Sequence, residues 1–236
     1  MAIRRSRKVA LASELSQPIA GYKAWHDMSD TSSYTLVGNN ISQWNDKSAN
    51  AYHLTQGTDA NRPTTGNSRK INGILVAEFD GTDDVLTSSM PQDDMTSTQF
   101  IVALVDGFAN YRSLMESSAG SGNTFRNQIT GGALTTAKEG VIEILINPVV
   151  TVGVAFAACQ KLSATFMEHW LDRETIAGTA HSQSFTAGAT LRVGLNRSGL
   201  YPHDGLIAEI ISYPTTLSFD NIAATMKYLR NKWGTP

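Results

Sequence analysis

Cysteine is almost absent from this chain of 236 residues, because Cys159 is the only one. The sequence therefore excludes an internal disulfide. Cys159 ends an apolar run from residue 149 to 159 with no histidine nearby, which favours a small buried side chain over a nucleophile. That run is the longest apolar stretch, and it falls well short of the ~20 residues of a membrane helix. We expect a protein made in a reducing cytoplasm, without membrane association.

Other chemical signatures are also missing. The five histidines show no short-spaced pair of the kind that holds zinc: His26, His53, His169, His181 and His203. No serine lies in a Gly-x-Ser-x-Gly elbow, and no lysine follows the glycine-rich stretches as in a phosphate loop. The sequence predicts no cofactor.

The charge is uneven along the chain. The net charge is −2, and residues 1–8 carry four positive charges and no acid, which leaves −6 on the remainder. The four cations are Arg4, Arg5, Arg7 and Lys8. A short basic segment on an acidic body indicates an N-terminal arm over residues 1–20. Such an arm could contact phosphates, but its shortness favours docking on a partner protein over nucleic acid.

Short runs rich in β-branched and aromatic residues, separated by turn residues, predict a single all-β domain over residues 21–236. The clearest runs are Ile74–Phe79, Gln99–Val105, Val141–Ile146, Val149–Ala158, Ala164–Leu171, Ala189–Val193 and Leu206–Tyr213. Residues 170–176 indicate a hairpin with Asp172 and Arg173 at its tip.

One helix is predicted, over residues 218–233. Ser218 can serve as the N-cap and Gly234 can end the helix. An apolar stripe at helical spacing predicts the buried face, formed by Phe219, Ile222, Ala223, Met226 and Leu229. We expect this helix to pack on the edge or base of the sandwich.

Two groups of turn residues are distinctive. The first comprises Trp44–Asn50, Arg62-Pro63, Asn72-Gly73 and Phe79–Leu86, and the second runs from Asp204 to Tyr213 and closes with Tyr228–Gly234. Together they resemble the laminin-G/concanavalin-A-like jelly-roll domains of tailed-bacteriophage virion proteins. The resemblance implies an antiparallel β-sandwich with one C-terminal helix. It covers roughly residues 20–234, and it identifies an architecture and a setting rather than a reaction.

The resemblance further implies a non-enzymatic virion structural protein, assembled in the host cytoplasm. The expected role is a capsid decoration or surface appendage subunit, anchored by the arm to major capsid or tail subunits. We also expect a homo-oligomer.

A glycan-binding module of a tail or fibre is the main alternative, with a host surface glycan as its partner. The loop over residues 196–204 offers an aromatic ring with polar groups, in Asn196, Arg197, Tyr201, His203 and Asp204. The loop from Phe108 to Arg112 has a similar composition.

Two further alternatives depend on acidic residues. Asp80, Asp83 and Asp84 could hold calcium, but turn structure is the favoured interpretation, because their spacing lacks the twelve-residue calcium loop. A glycan hydrolase would need paired carboxylates. Glu168, Asp172 and Glu174 are the nearest candidates, but two of them fall at the hairpin tip.

Overall fold

The computed structural model describes residues 15–66, 69–92, 96–108, 111–118, 125–138, 142–146, 150–172, 174–180 and 190–236. Within these ranges the strands are β1 Ala24–Asp27, β2 Tyr34–Val37, β3 Asn40–Trp44, β4 Leu54–Thr55, β5 Lys70–Ile71, β6 Ile74–Leu75, β7 Ala77–Asp80, β8 Leu86–Pro91, β9 Ser97–Val105, β10 Arg112–Ser117, β11 Phe125–Thr130, β12 Ala133–Lys138, β13 Ile142–Ile146, β14 Phe156–Leu162, β15 Phe166–Leu171, β16 Glu174–Ala180, β17 Thr190–Val193 and β18 Asp204–Tyr213. The helix α1 spans Phe219–Trp233, and short 3₁₀ turns span Thr31–Ser33 and Asp59–Asn61.

Two antiparallel sheets form a sandwich, which confirms the predicted fold class. The seven-stranded sheet has the order β1-β18-β9-β14-β15-β16, and β7 also pairs with β18. The nine-stranded sheet has the order β13-β12-β11-β10-β17-β8-β4-β3-β2, and β5 and β6 pair separately. Buried side chains of both sheets belong to one hydrophobic core. Among the described residues, no helix has the length and hydropathy needed to cross a membrane.

The central strands of the seven-stranded sheet are buried on both faces. All nine residues of β9 are buried, and so are nine of the ten in β18. One face meets the nine-stranded sheet, and α1 covers the other over β9 and β14. The double burial explains why these segments have nearly continuous apolar sequences. The helix therefore lies on a sheet face, and the expectation that it packs on an edge or base was wrong.

The predicted ends of the helix are confirmed. The Ser218 side chain accepts a hydrogen bond from the backbone N–H of Asn221, and Gly234 adopts a left-handed φ of 66° at the C-cap. Ile222, Met226 and Leu229 are buried as expected. Phe219 is 64% exposed, however. The predicted stripe is therefore correct except at its N-terminal end, where Ala223 is also exposed.

A buried carboxylate anchors the end of this helix. Glu209 on β18 is fully buried, and its two oxygens accept four hydrogen bonds of 2.6–3.0 Å. The donors, which together with Glu209 we call the Glu209 cluster, are Trp25 Nε1, Tyr228 OH, Lys232 Nζ and Trp233 Nε1. Burial raises the pKa of Glu209 even though Lys232 opposes the shift. The cluster joins β1, β18 and α1 through one group.

Lys232 also bonds a second buried carboxylate at the edge of this cluster. Its Nζ lies 2.6 Å from Asp27 Oδ1, and Lys47 reaches Asp27 Oδ2 at 3.1 Å. Burial alone would raise the pKa of Asp27, but Lys232, Ser29 and Lys47 hold it below its usual value. The buried ion pairs therefore form a connected network rather than an isolated pair.

The first turn motif is stabilised by the side chain of Asp46. Its carboxylate accepts hydrogen bonds from the backbone N–H groups of Trp25, Ser48 and Tyr52, each at 2.8–2.9 Å. An aspartate that bonds nearby backbone amides is the role that the sequence predicts for such a turn. The motif holds the loop after β3 against β1.

The apolar run over residues 149–158 and the N-terminal arm can now be compared with their predictions. The apolar run 149–158 is not one strand, since β14 begins only at Phe156; Gly153 precedes it with a left-handed φ of 76°. In the arm, Pro18 is buried and Ile19 is half-buried, and Tyr213 OH donates to the carbonyl of Ile19 at 2.6 Å. Arg4, Arg5, Arg7 and Lys8 lie outside the described residues.

Candidate functional site

Two loops with glycan-type composition meet at one end of the sandwich. The loop after β9 brings Tyr111 against Tyr201 from the loop before β18, with ring centroids 4.9 Å apart and planes inclined by 51°. Both rings are half-buried, and the neighbouring Leu200 is 66% exposed. We call Tyr111, Tyr201, Leu200, Arg112 and Asp204 the tyrosine rim. It presents aromatic surface beside polar groups.

The backbone of the rim is fixed by hydrogen bonds between the loops. Ser113 N–H donates to the carbonyl of Tyr201 at 3.0 Å, and Asp106 N–H donates to that of Asp204 at 2.9 Å. Arg112 donates to the carbonyl of Pro202 at 3.0 Å and to Asp204 Oδ2 at 3.3 Å. The two rings therefore sit on a rigid base, which lowers the entropy that ligand binding would cost.

Two of the predicted glycan-binding side chains do not reach the surface. His203 is fully buried and packs edge-on against Phe79, and burial lowers its pKa to about 4. Asn196 is 1% exposed, and its Oδ1 accepts the N–H of Leu200 at 2.7 Å. Both residues shape the loop from within, so the prediction that they contact a glycan was wrong.

The other three predicted residues lie closer to the solvent. Arg197 sits 3.8 Å from the buried carboxylate of Glu116, which directs its guanidinium toward β10. Tyr201 and Asp204 remain partly accessible on the rim. The composition of the Phe108–Arg112 loop indicated a glycan-binding surface, but it did not predict that the ring of Tyr111 would pack against that of Tyr201.

The three aspartates after β7 do converge. Asp80, Asp83 and Asp84 each offer a carboxylate oxygen within 4.8 Å of the others. Turn bonds occupy two of them: Asp84 Oδ2 accepts Asp80 N–H at 2.9 Å, and Asp80 Oδ1 accepts Thr82 N–H at 2.8 Å. Burial, with added repulsion from Asp80 and Asp83, raises the pKa of Asp84 to about 6. Three converging carboxylates could hold a cation, but the hydrogen bonds of Asp80 and Asp84 are those of a turn.

Replacing Asp84 by asparagine should stabilise the protein at alkaline pH. Asparagine keeps a carbonyl oxygen for Asp80 N–H and removes a charge that burial disfavours. Because the pKa of about 6 in the folded protein exceeds the usual aspartate value of 3.8, the wild type loses stability as the pH rises from about 4 to about 6. We expect Asp84→Asn to gain about 1 kcal/mol in unfolding free energy at pH 8 and nothing at pH 4, measured in urea.

A calcium titration of the same two proteins separates turn from metal site. If the three aspartates only form a turn, we expect calcium at about 1 mM to leave the unfolding midpoint of the wild type unchanged at pH 8. A rise in the wild type that Asp84→Asn abolishes would contradict the turn interpretation.

The candidate hydrolase acids have other roles among the described side chains. Glu168 forms an ion pair with Lys161 at 2.6 Å. Asp172 Oδ1 accepts the N–H of Ala157 at 2.9 Å. The pairing of β15 with β16 on either side of Asp172 confirms the predicted hairpin. The side chain of Glu174 is outside the described set.

No protein-family model matches the sequence, and no curated protein matches it. Among solved structures, the chain is similar to a Trypanosoma rangeli sialidase, with a TM-score of 0.63 and 10% identity over 92% of this chain and 34% of the sialidase. It is also similar to the CBM40 of a Ruminococcus gnavus IT-sialidase, with a TM-score of 0.50 and 17% identity over 56% of this chain and 83% of that one. The same CBM40 bound to α2,3-sialyllactose matches with a TM-score of 0.48.

These similarities show the fold. The chain spans about a third of the length of the sialidase that it matches. The two-sheet antiparallel sandwich is thus shared with known proteins, whereas the phage origin stays a prediction.

Proposed function

We propose that this protein is a non-enzymatic saccharide-binding module that contacts its ligand through the tyrosine rim. The observation that carries the proposal is the packing of Tyr111 and Tyr201, from loops about 90 residues apart, into one half-exposed aromatic surface. Aromatic faces carry negative charge density that attracts the polarised C–H groups of a sugar ring. Asp204 and backbone groups of the same loops are within reach of sugar hydroxyls.

The rim is suited to binding rather than to chemistry. Asp204, the carboxylate of the rim, is engaged by Arg112, and the buried His203 cannot serve as its proton-transfer partner at the surface. A catalytic acid and base would need to reach the same reacting atoms. On this proposal the expected partner is a glycan, including one on a host surface.

The virion role is the second proposal, and it depends on the turn motifs of the sequence. A decoration or appendage subunit that displays a saccharide-binding face would combine the two roles. Copies arranged on a particle would gain avidity, since linked sites raise the effective concentration of each binding event.

A glycan array followed by calorimetry tests the rim. We expect reproducible hits for the wild type, and about fivefold weaker binding of the best hit by Tyr201→Ala and by Tyr111→Ala, because each loses an aromatic contact worth about 1 kcal/mol. Phe219→Ala is the matched control, since it removes an exposed aromatic ring on a different surface. An array without hits, or hits that survive both tyrosine substitutions, would exclude this site.

A further inference from the structure

A depression separate from the tyrosine rim lies on the outer face of the nine-stranded sheet. It has a volume of about 460 Å³, within the roughly 300–1,000 Å³ typical of small-molecule sites. Its lining comes from β4, β8, the start of β17 and the loop before β4, and we call it the β8 groove: Ala51, His53, Thr55, Thr87, Ser89 and Thr190. On β8, exposed Thr87 and Ser89 alternate with buried neighbours, which places the groove on the face away from the core.

Hydrogen bonds within the groove determine which of its donors and acceptors remain available to a ligand. The hydroxyls of Thr55 and Thr87 each donate to the backbone carbonyl of the other, at 3.4 and 3.3 Å. Their remaining lone pairs can therefore accept hydrogen bonds. His53 Nδ1 accepts the N–H of Asp46 at 3.0 Å, so the proton of the neutral ring is on Nε2, which can donate. This set complements hydroxyl groups.

Arg192, whose guanidinium has no partner among the described residues, continues the same row of residues. Arg192 pairs in register with Thr87, which pairs with Thr55, so the three lie side by side on adjacent strands. Leu191 and Val193 point into the core, which places Arg192 on the outer face. Within the described part of the chain, its guanidinium makes no hydrogen bond or ion pair, and its Nε is buried without a partner.

This arginine differs from the others whose side chains are described. Those have hydrogen bonds or ion pairs to carboxylates or carbonyls: Arg62, Arg69, Arg112, Arg197 and Arg230. Glu116, the residue opposite Arg192 on β10, contacts Arg197 instead. A buried donor without an acceptor destabilises the folded protein, and an anionic ligand would remove that penalty.

A strained residue lines the groove as well. Ala51 has a left-handed φ of 55°, uncommon for a residue other than glycine. Such strain persists where the surrounding structure enforces it, and it concentrates at ligand sites.

We propose that the β8 groove binds an acidic saccharide. Its carboxylate or sulfate lies on Arg192, which can form two parallel hydrogen bonds to either group. Its hydroxyl groups donate to Thr55 and Thr87 and accept from His53. The ligand class rests on the proposed saccharide-binding function, but the site is separate from the tyrosine rim.

Site-resolved NMR of the full chain tests this proposal. We would titrate the ¹⁵N-labelled protein with α2,3-sialyllactose, 3′-sulfolactose, lactose and inorganic sulfate. The expected result is a shift of the Thr55, Thr87 and Arg192 signals with at least one acidic saccharide, at an affinity at least tenfold above that for lactose or sulfate. The response to the carboxylated or the sulfated probe identifies the anionic group.

Variants assign the contacts. Arg192→Gln should weaken binding of the acidic probe at least tenfold, and Thr87→Val severalfold, with unfolding midpoints recorded to show that both remain folded. Arg62→Gln is the matched control, because Asp59 and backbone carbonyls already hold that guanidinium. Unchanged affinity in Arg192→Gln, or sulfate binding as tight as the saccharide, would overturn the proposal.

The same titration separates this proposal from the proposed function. Shifts confined to Tyr111 and Tyr201 would overturn the groove and leave the tyrosine rim standing. Shifts confined to Thr87 and Arg192, with array hits insensitive to Tyr201→Ala, would support the groove and exclude the rim.

Discussion

Replacing Lys232 by methionine should lower the free energy of unfolding by about 3–5 kcal/mol, because two buried carboxylates lose their shared cation. Lys232 Nζ lies 2.7 Å from Glu209 and 2.6 Å from Asp27, and both acids are at most 4% exposed at their side chains. Methionine matches the length of the lysine stem but leaves Glu209 without its cation, and Asp27 with Lys47 alone, in a medium of low dielectric. Urea denaturation at pH 7 with linear extrapolation measures the loss.

Two companion variants show that the loss comes from unpaired charge. Lys227→Met removes an exposed lysine of the same helix and should change stability by no more than about 0.5 kcal/mol. Adding Glu209→Gln to Lys232→Met should restore part of the loss, since one of the stranded charges is then gone. Equal effects of Lys232→Met and Lys227→Met would contradict a structural role for the Glu209 cluster.

Replacing Gly205 by alanine should be at least as damaging, with a loss of about 4 kcal/mol or more. Gly205 has a φ of 144°, and a Cβ placed there would overlap the carbonyl oxygen of Leu104 and lie 3.1 Å from Val105 Cα. Both obstructing groups are backbone of β9, which cannot move without breaking its pairing with β18. Thermal unfolding and far-UV circular dichroism together report the effect.

Gly107→Ala provides the control for that substitution. A Cβ at residue 107 meets nothing within 4 Å, so alanine should be neutral or slightly stabilising through the unfolded state. A Gly205→Ala protein as stable as Gly107→Ala would show that the strand ends can separate without cost.

The features that the sequence predicted correctly depend on local information. The N-cap Ser218 and the C-cap Gly234 act on backbone groups a few residues away, and so does Asp46 in its bond to Ser48, so short motifs predict these contacts. The alternation and length of the apolar runs likewise predicted a sandwich. The run 149–158 failed because the sequence gives no sign of where a mostly apolar loop becomes a strand.

The features that the sequence did not predict are contacts between residues far apart in the chain. Trp25 and Glu209 are 184 positions apart, so nothing in the local pattern marks them as partners. Tyr111 and Tyr201 meet because β10 and β17 are neighbours in one sheet, an order that the sequence does not contain. His203 and Asn196 were misassigned for the related reason that composition cannot tell an inward from an outward loop side chain.

The position of β18 has a consequence for synthesis on the ribosome. Of the described strands this one is translated last, yet it lies between β1 and β9 and also pairs with β7. Until residue 213 has left the exit tunnel, the apolar edge of β9 has no partner, and β1 has none either. The sheet must then close after the other described strands have emerged, by long-range pairing of the kind that folds slowly.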